Sequence, residues 1–92
     1  MEVVGAVENG IEAIERVKLL KPDVLILDIH MPGCSGLEVL RTIRTEKNKC
    51  VIIIFTKLAD EFYRKKCREL RADYFFDKLS EFEQFLNLLN TM

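Results

Sequence analysis

Two short aliphatic runs, "VLIL" at residues 24–27 and "VIIIF" at 51–55, contain no polar residue at alternate positions. A strand with one wet face alternates apolar and polar side chains. A strand that is apolar throughout must be covered on both faces, as in a parallel sheet between helices. Parallel neighbours need a crossover, usually a helix, and the intervening "LEVLRTIRTEK" brings Leu37, Leu40 and Ile43 to helical spacing. The same alternation extends in both directions. Val3 and Val4 open a short strand, and "NGIEAIERVKLLK" follows as a helix through Ile11, Ile14, Val17 and Leu20. After the second run, "EFYRKKCREL" is helical through Phe62, Tyr63, Cys67 and Leu70, "DYFF" is a short strand, and "EFEQFLNLL" closes as a helix. Four βα units in this order predict an α/β, doubly wound, mostly parallel sheet with helices on both faces.

Helix starts support the segmentation. Asn9 precedes Glu12, Ser35 precedes Glu38 and Ser80 precedes Glu83, each by three residues and each before an apolar run. In that box the first side chain accepts from an orphan amide while the carboxylate reaches back.

Ninety-two residues predict one small domain. A net charge of −1 speaks against a nucleic-acid or acidic-membrane binder. The chain has neither an apolar run of membrane-helix length nor a signal pattern, so cytoplasm is the expected location. Cys34, Cys50 and Cys67 are odd in number and scattered, which disfavours a disulfide framework. His30 with Cys34 supplies only two of the ligands a zinc site needs. Arg64, Lys65, Lys66 and Arg68 read as a solvated helix face.

Open parallel sheets gather ligand chemistry at the carboxyl ends of their strands. Asp28 follows "VLIL", Thr56 follows "VIIIF" and Lys78 follows "DYFFD". Any one of them alone would be read as an ordinary loop, cap or surface residue. At the ends of three successive strands, an acid, a hydroxyl and an amine predict a site.

With these residues in place, the sequence resembles the receiver domains of bacterial two-component response regulators, which are flavodoxin-like in fold. "PDVLILDIHMPGCSGLEVL" matches the phosphoacceptor segment through Asp28, Met31, Pro32 and Gly36. Thr56 matches the switch hydroxyl and Lys78 the phosphoryl-contacting lysine, and "ENGIEAIE" and "RADYFFDK" also read like the family. The resemblance implies phosphoryl transfer to Asp28 from a sensor histidine kinase or phosphotransfer protein. It implies Mg²⁺ bound by Asp28 and by the backbone carbonyl of His30, and a switch aromatic at Phe75, with Tyr74 the lesser candidate. The physical chemistry agrees: a carboxylate ionised at neutral pH needs no general base, and phosphoryl transfer needs chiefly alignment and charge neutralisation.

The departures are informative. The family has one more βα unit ahead of Met1–Glu2, whose strand ends in a Mg²⁺-holding acidic pair, so the metal is expected to bind weakly or not at all here. That strand would lie between the Val3–Val4 strand and the Asp28 strand. The sheet must therefore close up, be completed by another chain, or leave an edge exposed. Phe82, Phe85, Leu86 and Leu89 would lose cover, which predicts self-association. Lys57 stands where the family has a small residue, Leu79 where it has proline, and Arg71 where glycine is common. Asp77 is expected to face solvent rather than pair with Lys78. An aspartate-nucleophile phosphatase of the haloacid dehalogenase type needs a second aspartate at the position of His30, so enzyme activity is not expected. The alternative to a phosphoacceptor is a receiver fold that no longer takes phosphate and acts as an interaction module.

Overall fold

Strand and helix alternate throughout. The computed structural model describes residues 1–5 and 9–92, so Glu8 of the "ENGIEAIE" segment lies outside the described residues. The elements are β1 (Val3–Val4), α1 (Gly10–Leu20), β2 (Val24–Leu27), α2 (Gly36–Thr45), β3 (Val51–Thr56), α3 (Glu61–Glu69), β4 (Tyr74–Asp77) and α4 (Phe82–Thr91). The sheet order is β1-β2-β3-β4 and each pairing is parallel.

The sheet closes up. β1 pairs directly with β2, Val3 opposite Val24 and Val4 opposite Leu25, so no strand from another chain is needed between them. The Asp23 carboxylate accepts from the Glu2 amide at 2.8 Å, and the Asp23 and Val24 amides donate to the Glu2 carbonyl. These bonds fix the register of a two-residue edge strand that has little pairing of its own.

Residue alternation separates two cores, as the pleat requires. Leu25, Leu27, Ile52 and Ile54 pack with Ala13 and Val17 of α1, Val39, Leu40 and Ile43 of α2, and Cys67 of α3. Val24 and Ile53 pack with Phe85 of α4, bordered by Ile26, Val51, Phe55, Phe76, Leu88 and Leu89. Three helices thus cover one face and α4 alone covers the other. Phe85 stacks on Phe55 with ring centroids 4.0 Å apart.

Several local expectations need correction. Asn9 and Ser35 cap α1 and α2 by accepting from the Glu12 and Glu38 amides, but Ser80 caps nothing. The chain continues in a turn to Glu81, which precedes α4 without a side-chain cap because its carboxylate is bound elsewhere. Asp60 caps α3 through the Tyr63 amide. On α1 the inward face is centred on Gly10, Ala13 and Val17, leaving Ile11 and Leu20 exposed. The small residues are needed there: a Cβ on Gly10 would lie 2.1 Å from the Cys34 carbonyl oxygen. Phe62, placed in the core by period alone, is exposed and meets Tyr63 edge-on.

Candidate functional site

Parallel registry carries the ends of β2, β3 and β4 to one edge of the sheet, with Leu27 opposite Ile54 and Thr56 opposite Asp77. Asp28, Thr56 and Lys78 converge there. The Thr56 hydroxyl donates to Asp28 Oδ1 at 2.7 Å, and the Lys78 ammonium lies 2.8 Å from Asp28 Oδ2. The His30 amide adds a third bond, 3.1 Å to Oδ1. Thr56 is fully buried, and its hydroxyl accepts from the Leu58 amide at 3.1 Å. A buried hydroxyl thus has both its donor and its acceptor role satisfied.

Burial raises the Asp28 carboxyl's pKa, but hydrogen bonds from Lys78, Thr56 and the His30 amide, with the Lys78 charge, outweigh it. The carboxyl lies below its ordinary value, so the group is an anion at neutral pH. A cavity of about 270 Å³ opens over it, lined by Asp28, His30, Thr56, Lys57, Leu58 and Lys78. Lys57 therefore borders the same space as the carboxylate.

The loop after Asp28 is pinned at close quarters. The Gly36 amide donates to the Ile29 carbonyl at 2.9 Å, and a Cβ on Gly36 would sit 2.2 Å from the Asp28 carbonyl oxygen. Only a residue without a side chain fits there. Gly33 turns the loop at φ +86°, Met31 packs against the larger core, and exposed Pro32 accepts from the Gly10 amide at 3.2 Å.

Phe75 lies half-buried on the three-helix side of the sheet, the side of Thr56. Tyr74 lies on the other side, against Phe76. Asp77 does not pair with Lys78. It accepts from the Leu79 amide at 2.8 Å, and that bond, ahead of smaller effects, lowers its carboxyl's pKa. Arg71 adopts φ 68°, the left-handed conformation that explains why glycine suits its position.

Among the described residues, no three His, Cys, Asp or Glu side chains come together to hold a metal. Both Asp28 oxygens already accept hydrogen bonds. Mg²⁺ wants six oxygens in near-octahedral array, and the described residues by themselves do not fit that ion.

Sequence reasoning missed Arg64 and Glu81. Arg64 belongs to no solvated face: its guanidinium lies 4.9 Å from the Phe75 ring centroid and 2.6 Å from Glu81 Oε1. Lys65, Lys66 and Arg68 are exposed as expected. Helical period separates Arg64 from them only once the aromatic strand beneath it is known.

A parallel sheet between helices, with an acid, a hydroxyl and an amine converging at its carboxyl edge, defines a flavodoxin-like α/β module with a polar site at that edge. The model of the response regulator receiver domain matches residues 1–90, and the chain belongs to that family, the receiver domains of two-component response regulators. The chain is 37% identical over 78 residues to the DNA-binding transcriptional activator EvgA of Escherichia coli, covering 85% of this chain and 38% of that protein. It is 42% identical over 85 residues to the sensory transduction protein LytT of Oceanobacillus iheyensis, covering 90% of this chain and 34% of LytT. The match therefore spans well under half the length of either relative. Among solved structures, a LuxR-family DNA-binding response regulator from Staphylococcus aureus superposes with a TM-score of 0.83 at 33% identity, covering 91% of this chain and 70% of that one. The BeF3-activated receiver domain of Klebsiella pneumoniae RstA gives 0.82 at 26%, covering 92% and 72%.

Proposed function

We propose that Asp28 accepts a phosphoryl group from the phosphohistidine of a sensor histidine kinase or phosphotransfer protein, in a receiver domain spanning residues 1–92. A P–O bond forms to a carboxylate oxygen as the P–N bond breaks, and the electron pair stays on the imidazole nitrogen. The observation that carries this reading is an anionic carboxylate within 2.8 Å of both an ammonium and a hydroxyl donor, facing a cavity. Lys78 offsets charge on the phosphoryl oxygens, as such transfers require. Thr56, released from Oδ1, donates to a phosphoryl oxygen, and Phe75 follows it inward. Met31, Pro32 and Gly36 shape the loop. The His30 backbone carbonyl and Asp28 are the groups through which Mg²⁺ would touch the site, and their affinity for it is low.

The domain works as a switch in the cytoplasm rather than as an enzyme, with no nucleic-acid or membrane contact of its own. No helix among the described residues is long and apolar enough to cross a membrane.

Intact mass after incubation with a small phosphodonor tests the reading. We expect one added phosphoryl group, absent in Asp28→Asn, and little change when a chelator replaces Mg²⁺. No adduct on a folded chain would leave a receiver fold acting only as an interaction module.

A further inference from the structure

Eight residues close a circuit of contacts that starts and ends at Asp28. From Asp28, the circuit passes to the Thr56 hydroxyl at 2.7 Å, which accepts from the Leu58 amide at 3.1 Å. The adjoining Ala59 carbonyl accepts from Arg64 Nε at 3.3 Å. Arg64 Nη2 reaches Glu81 Oε1 at 2.6 Å, and the same oxygen accepts from the Asp77 amide at 3.0 Å. Lys78, next in the chain, returns to Asp28 at 2.8 Å. The Arg64 guanidinium also lies 4.9 Å from the centre of the Phe75 ring.

We propose that Arg64 is a positioning residue that ties the Thr56 loop to the Lys78 loop, so that a change at Asp28 is felt at helix α3. The Lys78 amide also bonds the Thr56 carbonyl, at the sheet edge itself. Arg64 supplies the tie on the side away from Asp28. Its planar fork serves Ala59 and Glu81 at once while its face meets an aromatic ring, which a lysine cannot reproduce. The link is partly buried, so it is screened less than a surface pair. Chains of bonded and packed groups of this kind carry coupling between sites. As a signalling device the link rests on the phosphoacceptor reading, but its physical test needs no phosphate.

The test compares amide spectra of Asp28 and Asp28→Asn chains, with Arg64 present and in an Arg64→Lys background. We expect Asp28→Asn to move the Tyr63, Arg64 and Asp77 resonances when Arg64 is present, and the Tyr63 shift to be largely lost with Arg64→Lys. Unmoved α1 and α2 resonances in Arg64→Lys alone would verify the fold. Equal Tyr63 responses in both backgrounds, or none in either, overturns the proposal. Where the wild-type chain also takes phosphate, Arg64→Lys should change its rate of phosphorylation by about 2- to 30-fold. Failure of the wild type to take phosphate defeats the phosphoacceptor reading and leaves the spectral result standing.

Discussion

Asp28 shows how three neighbours set the chemistry of one side chain. Its folded pKa lies below the unfolded value of about 3.9. The ionised carboxylate is therefore the form the fold favours. The stability it contributes is fully present above the unfolded pKa and is lost as pH falls through the folded one. Asp28→Asn should cost about 1 kcal/mol at neutral pH, because the Lys78 ion pair is partly exposed. The mutant should also lose less stability than the wild type on acidification toward pH ~3, as read from melting temperatures across that range. Arg71 offers a test of opposite sign. At φ 68° a side chain is strained, and Arg71→Gly should raise stability by about 1 kcal/mol in a denaturant titration. Its carbonyl, which accepts from Arg44 Nε at 3.0 Å, is kept in the mutant.

Elements meet here through close backbone contacts. The β2–α2 connection brings Gly36 against the Asp28 carbonyl, with no volume for a methyl group. Gly36→Ala must push the first turn of α2 away from β2, and should cost about 3 kcal/mol or more in the same titration. On the far side of α2, Arg44 braces the opposite edge of the sheet. Its guanidinium donates to the Arg71, Asn48 and Cys50 carbonyls and pairs with Asp73 at 2.6 Å. Asp73 in turn accepts from the Ile52 amide at 2.8 Å. The brace spans α2, β3 and the start of β4, and explains why a charged residue in the last turn of α2 is not left in solvent.

At the scale of the whole molecule the two faces of the sheet are unequal. Three helices bury the middle of one face, with Ile52, Ile54 and Leu25 at 0% exposure, whereas α4 leaves Phe82 at 49% and Leu86 at 40%. These two residues lie one helical turn apart and form an apolar stripe. Pairing with a second copy of the chain would remove that stripe from water. Sedimentation should show concentration-dependent association, and Leu86→Asp should reduce it while leaving the melting temperature within a few degrees of the wild type.

Strand and helix order were legible in the sequence because apolar runs and helical periods are local signals. The site was legible in outline for the same reason: Asp28, Thr56 and Lys78 each end a strand, and parallel topology alone brings such ends together. Phe75 was placed by counting back from Lys78, and it lies on the side of the sheet that Thr56 occupies. The tertiary structure decided what local signals do not encode. A helical period gives the spacing of a buried face but not its phase, so Ala13 rather than Ile11 turned inward and Phe62 turned out. Ser80 matched a capping pattern, yet the turn after β4 moved the helix start beyond it. The direct pairing of β1 with β2 and the Arg64–Glu81 link join residues 17 or more positions apart. Such contacts depend on which elements pack together, so only the folded chain determines them.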